Sequence, residues 1–178
     1  ILMAKRLLFI LFTFFCCSIK AQTVHFSIQA HADDWQLFMS SRVIADMTAG
    51  SKMVFITLTA GDQSCGSCSY GGGGPLYLSR ENGAIYSSNF AADLTTGTAP
   101  LNLPVATTVS ITGNSAHNIT KYVYKNTVNY FLRLPDGDLS GNGFPNNNNQ
   151  SLRKLRLGTI PSISTIGIND VPTPLAPT

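Results

Sequence analysis

The sequence predicts an α/β domain built on a mostly parallel sheet. Three observations carry this. Val24–Ala30 (VHFSIQA) is a short apolar run bounded by polar residues, the pattern of a buried strand. Asp33–Ala49 then changes period: Leu37, Phe38, Ile44, Ala45 and Met47 fall on one face at helical spacing, and Gly50 is a helix stop. Met53–Leu58 (MVFITL) is again short, apolar and β-branched. Strand, helix and strand in quick succession make a βαβ unit, which implies parallel strands joined by a right-handed crossover.

The remaining elements follow in order. Pro75–Leu94 reads as a second helix, with Gly83 a blemish costing ~1 kcal/mol against Ala. Val105–Ile111, Ile119–Tyr124 and Thr127–Leu134 alternate apolar and polar residues, with turn signals at Gly113-Asn114-Ser115 and Lys125-Asn126. They predict a β-hairpin or meander inserted into the α/β frame. Ser151 is a cap for a short helix over Leu152–Leu157. Thr59–Gly74, residues 95–104 and Pro135–Gln150 read as loops. Val171–Thr178, with Pro172, Pro174 and Pro177, forms no recognisable element.

Composition sets the class. The 178 residues suffice for one domain with a sizeable core. Charged residues are 12% against ~25% in an average soluble chain, and hydrophobic residues are 44%, which excludes wholesale disorder. The net charge of +3 belongs to the first 21 residues, which hold Lys5, Arg6 and Lys20 and no acid. The remainder is balanced, so no basic face for nucleic acid is expected. Arg153, Lys154 and Arg156 read as a solvated helix face.

Lys5-Arg6, the apolar run Leu7–Cys17 and Ser18-Ile19-Lys20-Ala21 form the three-part pattern of a secretory signal peptide. The run is shorter than the ~20 residues of a membrane span. The expectation is a signal over residues 1–21, cleaved near Ala21-Gln22. It leaves a secreted or periplasmic domain over residues 22–178 with no membrane span. Phe14-Phe15 before Cys16 and Cys17 is a poor match to the small residues of a lipid-anchor site. Cys65 and Cys68, in Cys-Gly-Ser-Cys, suit a small disulfide pinning a Gly-rich loop in an exported protein. Two thiols are too few for a structural zinc site.

The chemistry concentrates where the first strand hands over to the first helix, at Gln29-Ala30-His31-Ala32-Asp33-Asp34. Ligands of open α/β sheets bind at the carboxyl ends of strands, and a helix N-terminus favours carboxylates. His31 and Asp34, three apart across the turn, can point at one ion, and imidazole nitrogen and carboxylate oxygen are zinc donors. Asp33 between them is placed to take a proton from a metal-bound water, the arrangement of a hydrolase. A plainer alternative is open: Asp33 and Asp34 cap the helix and His31 is a hydrogen-bonded turn residue.

Ala30-His31-Ala32-Asp33-Asp34 resembles the signature of the PIG-L/LmbE family of zinc-dependent N-deacetylases, written there with Pro between the His and the Asp pair. Thr57-Leu58-Thr59-Ala60-Gly61-Asp62 is similar to that family's Thr-x-Gly-acid turn. Arg80-Glu81 with Ala84 looks like its Arg-x-x-Glu/Ala helix, although the acid directly follows the arginine here. Leu134-Pro135-Asp136-Gly137 resembles a motif of exported members. These motifs span roughly residues 24–160. The resemblance implies a Rossmann-like three-layer sandwich that removes an N-acetyl group from an amino sugar or similar glycan or small molecule. By position it implies His31 and Asp34 as ligands of Zn2+ or another divalent ion, Asp33 as general base, and Arg80 and Asp62 as substrate contacts. For Arg80 an ion pair with Glu81 or Asp62 is the other reading, and for Asp62 the other reading is a turn-former.

The chain departs from the family in named places. Ala32 replaces the usual Pro, and Trp35-Gln36 follows the Asp pair where an acid is common. The family takes its third ligand from a His-rich motif in the C-terminal half. The one downstream histidine is His117, in Asn114-Ser115-Ala116-His117-Asn118, a context that does not match. The expectation is that the chain stops, or leaves the family, before that ligand. The alternative function is then a non-catalytic carbohydrate-binding or degenerate domain. Asp136-Gly137-Asp138-Leu139-Ser140-Gly141-Asn142 spaces oxygen ligands like a calcium loop, with Asn147 where a Glu is needed. A polar turn is the default there. A metal-free glycosidase using Asp33 and Asp136 has no spacing to support it.

Overall fold

The structure is a computed structural model and describes residues 21–63, 75–97, 107–111 and 114–167. The expectations for the signal over residues 1–21, for Cys65 and Cys68, and for the Pro-rich tail fall outside the described residues, save for Ala21.

Five strands form one open sheet: β1 (Val24–Gln29), β2 (Lys52–Thr59), β3 (Thr107–Ile111), β4 (Asn114–Tyr124) and β5 (Thr127–Leu134), in the order β1-β2-β5-β4-β3. β1 pairs parallel to β2 in the register Val24 with Lys52, and β2 pairs parallel to β5 in the register Met53 with Thr127. β4 runs antiparallel to both β5 and β3. The class is α/β with a mixed sheet. The meander is not an insertion beside the frame, as expected; its last strand is the third parallel strand and sits between β2 and β4. Lys125, at φ +47°, makes the tight turn at Lys125-Asn126 that returns β5 along β4.

The crossover between β1 and β2 is two short helices rather than one: α1 (Asp34–Phe38) and α2 (Ser40–Thr48), broken at Met39, which sits at φ −131°. The expected apolar face needs correction. Leu37 and Phe38 are exposed, while Trp35, Val43 and Met47 face the core. The break at Met39 shifts the helical phase, so a single period across both halves misassigns α1. The long helix α3 (Leu76–Thr96) ends at Gly97 in the left-handed region, as a C-terminal cap requires. Ser151 caps the short helix α4 (Leu152–Arg156) by accepting from the Lys154 N–H at 3.2 Å.

All three sheet-packing helices lie on the same side. Trp35, Val43 and Met47 close with Ala91 and Ala92 of α3 on Met53 and Phe55 of β2. Ala84 and Ile85 of α3 close on Tyr122 of β4 and Phe131 of β5. The described residues therefore make two layers, not the three expected. β1, expected as a buried strand, is buried on one side only. Phe26 and Ile28 are about two-thirds exposed (66% and 64%), and the polar Ser27 and Gln29 face the helices. Those buried polar groups are paired, as burial demands: Gln29 Nε2 donates to Thr57 Oγ1 at 3.0 Å, and Asn129 Nδ2 donates to Ser88 Oγ at 2.8 Å.

Candidate functional site

Because β1, β2 and β5 run parallel, their carboxyl ends share one edge of the sheet. The segments that leave them are Ala30–Asp34, Ala60–Gln63 and Pro135 onward. These meet, and the meeting is tied by backbone: Thr59 N–H donates to Ala30 O at 2.9 Å and Ala60 N–H to Leu134 O at 2.9 Å. Three separate motifs of the sequence thus become one site.

The turn after β1 is set by Asp34. Its Oδ2 accepts from the backbone N–H of Ala30 at 2.9 Å and of His31 at 3.0 Å. The carboxylate reaches back across the turn instead of forward into the helix. Its other oxygen, Oδ1, lies 3.8 Å from His31 Nδ1. Asp33 occupies the N-cap position of α1, yet its side chain makes no capping bond, and the residue is exposed. The capping alternative for this Asp pair is therefore not what the geometry contains.

His31 Nε2 meets Asp136 Oδ2 at 3.0 Å, although the two residues are 105 positions apart. The sequence offered Asp136 in the Leu134-Pro135-Asp136-Gly137 motif, at the head of a calcium-like loop and in a glycosidase pair with Asp33, but not beside His31. The signal that could have found it is its position two residues after a parallel strand, the same place that His31 holds after β1.

Asp62, expected at the substrate, is 5% exposed and committed to the loop after β5. Its Oδ1 accepts from Asp136 N–H at 2.6 Å, its Oδ2 from Asn147 Nδ2, and its carbonyl from Asn146 Nδ2 at 2.8 Å. Arg80 lies against Gly61, where an added Cβ would fall 2.2 Å from Arg80 Nη1. Among the described residues no ion pair joins Arg80 to Glu81 or Asp62, because Glu81 is taken by Arg133 (Nε to Oε1, 2.6 Å). Arg80 is brought to the turn that holds Asp62, and among the described residues no hydrogen bond or ion pair joins it to His31, Asp33 or Asp34.

Beside His31 opens a cavity of about 430 Å3, within the range of small-ligand sites. His31, Gln63, Asp136, Asp138, Ser140 and Phe144 line it, with the exposed Leu139 at its mouth. The loop Asp136–Asn142 closes on itself as a polar turn. Asp138 Oδ1 accepts from Ser140 Oγ at 2.6 Å and from Asn142 N–H at 3.3 Å. The Ser140 hydroxyl and the turn amides hold the Asp138 carboxyl below the ordinary range against the opposing pull of burial.

An imidazole nitrogen and a carboxylate oxygen facing each other are donors that suit zinc. A catalytic zinc normally takes three protein ligands. Among the described residues no group of three or more His, Cys, Asp or Glu is arranged to hold a metal ion. His31 and Asp34 are a pair of such donors without a third arranged beside them among the described residues. His117 lies on β4, and its side chain is outside those described. No helix among the described residues is long and apolar enough to cross a membrane.

No family model, curated protein or solved structure matches this chain. The likeness to the N-deacetylases rests on the residues of the motifs alone.

Proposed function

We propose that the protein is a metal-dependent amide hydrolase that removes an N-acetyl group from an amino sugar or a similar N-acyl compound. The observation that carries the reading is the pair His31 Nδ1 and Asp34 Oδ1, facing each other at 3.8 Å, where His31, but neither Asp33 nor Asp34, lines a ligand-sized cavity and Asp33 is exposed and untied by any helix cap. A Rossmann-like family membership is part of the same proposal and draws on the motif residues.

In this reading His31 and Asp34 would hold Zn2+ or another divalent ion. Such an ion, when bound, lowers the pKa of a bound water and polarises the carbonyl under attack. The chain's own residues do the rest. Asp33 takes the proton of the attacking water as general base and returns it to the leaving nitrogen, a role worth about 10²–10⁴-fold in rate. Phe144 offers an apolar wall for a sugar ring, and Gln63, Ser140 and Asp138 offer hydrogen-bond partners for its hydroxyls. Asp34 bonds to two backbone amides, so its free oxygen is aimed without loss of side-chain freedom on binding.

The test is elemental analysis of the purified full chain beside its Asp34→Ala variant. One zinc per chain, lost in the variant, is the expected result. Absence of metal from both, with N-acetylglucosamine bound in the presence of chelator, refutes the hydrolase and leaves a metal-free carbohydrate-binding domain.

A further inference from the structure

Asp136 reaches His31 from the turn after β5, across the end of β2, and the hydrolase reading above gives it no task. It is not a loose loop residue. Its N–H is held by Asp62 Oδ1 at 2.6 Å, and Asp62 is buried and held in turn by Asn146 and Asn147. Two turns, one after β2 and one after β5, thus brace the Asp136 carboxylate against the imidazole.

An ionised carboxylate only accepts hydrogen bonds. Its 3.0 Å contact with His31 Nε2 therefore places the proton on Nε2. In a neutral imidazole, Nδ1 is then a bare lone pair. Nδ1 faces Asp34 Oδ1 at 3.8 Å, which is beyond hydrogen-bond reach and is itself an acceptor. Two facing acceptors with no proton between them form a place for a cation. The opposite tautomer sets a lone pair of Nε2 against a carboxylate at 3.0 Å and points the Nδ1 proton into that place.

We propose that Asp136 is a positioning residue. By accepting from Nε2–H it holds His31 in the tautomer that turns the Nδ1 lone pair toward Asp34, and Asp62 is the strut that sets Asp136 in position. Its use to the protein rests on His31 and Asp34 being metal ligands, since a ligating histidine is commonly oriented by a carboxylate on its other nitrogen. The tautomer itself is a property of the metal-free chain, which separates the two ideas experimentally.

The experiment is the imidazole nitrogen spectrum of the metal-free full chain, labelled with 15N-histidine, at about pH 8, where an ordinary imidazole is neutral. Wild type is compared with Asp136→Ala and with Asp136→Asn, which keeps a carbonyl acceptor. His31→Gln assigns the signals. The expected result is a His31 protonated at Nε2 in wild type, a tautomer mixture in Asp136→Ala, and substantial rescue in Asp136→Asn. Zinc alone, titrated into each, is expected to bind Asp136→Ala about 10–100-fold more weakly. A wild-type His31 protonated at Nδ1, or at both nitrogens, overturns the proposal. So does an unchanged spectrum in a folded Asp136→Ala. If that variant does not fold, wild type decides: Nε2–H alone supports the proposal, and a proton on Nδ1 overturns it. Wild type with the Nε2–H form but no zinc binding supports the positioning assignment and refutes the metal reading alone.

Discussion

Glu81 and Arg133 form a two-bond ion pair in the interior, with Nε to Oε1 at 2.6 Å and Nη2 to Oε2 at 2.8 Å, and each residue 3% exposed. The pair joins α3 to the end of β5, one residue after Arg80 and three before Asp136. Arg133 Nη1 also donates to Gly167 O at 2.6 Å, and the guanidinium lies over the Tyr77 ring at 5.4 Å. Burial alone lowers the pKa of this guanidinium, and the bonds to Glu81 more than reverse that. Arg133 has φ +53°, left-handed for a non-glycine, where the β2–β5 register shifts between Thr57 and Thr59. The ion pair holds the strained residue that turns the chain toward Asp136.

Glu81→Ala is expected to destabilise the fold by about 3–5 kcal/mol, since it leaves a buried guanidinium uncompensated. Urea unfolding followed by circular dichroism measures this. A cost below about 1 kcal/mol, within the range of exposed pairs, contradicts the burial of the pair.

Asp33→Asn is expected to lower hydrolysis by about 10²–10⁴-fold with metal content unchanged. Wild-type turnover in this variant removes Asp33 from the role of base. His31→Ala and Asp34→Ala are expected to lose the metal itself, so the three variants separate binding from proton transfer.

Gly61→Ala is expected to destabilise by about 1–2 kcal/mol, because φ is +58° there and the added methyl meets Arg80. The guanidinium end is flexible and will move. The variant therefore tests whether the resting place of Arg80 matters: an increase in KM for an N-acetyl substrate is expected if Arg80 contacts it. An unchanged KM in the destabilised variant removes Arg80 from the substrate side.

Tyr124 donates to Asp93 Oδ1 at 2.8 Å, beside Lys125 Nζ at 2.6 Å. Burial, the bond to Asp93 and its charge push the Tyr124 phenol up to about 12. A raised value makes a contribution that is fully present below the ordinary tyrosine range near 10 and is lost as pH rises through about 12. For Asp93, burial pulls upward, but the bonds from Lys125 and Tyr124 win and hold the carboxyl low. Its contribution is present above the ordinary carboxylate range and disappears as pH falls through its lowered value. Tyrosinate absorbance is expected to show one late-ionising group missing in Tyr124→Phe. A difference titrating near 10 refutes the coupling.

Much of the frame was legible in the sequence because strand edges and caps are local. The spans of β5 and α4 follow from alternation and from Ser151, while α3 runs past the expected end at Leu94 to Thr96, where Gly97 caps it. What was not legible depends on partners. Phe26 and Ile28 read as core because apolar runs usually are, yet the side of β1 facing the helices carries Ser27 and Gln29, bonded to each other and to Thr57. The break at Met39 follows no breaker residue. At the site, His31, Asp33 and Asp34 share one turn, so six consecutive residues announced them. Asp136 stood in a motif, a calcium-like loop and a glycosidase pairing, but its contact with His31 arises only when β5 docks beside β2. Asp62 suggested a substrate contact by motif, and its bonds turned out to point inward.

The His31–Asp136 contact closes a loop of 105 positions, and one half of the site is supplied by the second residue beyond the last strand. No hairpin or single βαβ unit contains both halves. Long-range closure of this kind is paid late in folding, after local elements exist. A chain with β1 and β2 paired but β5 still free carries the His-x-Asp-Asp turn without its brace. The His31–Asp136 contact is therefore a property of the completed sheet: it exists only where β5 is docked beside β2.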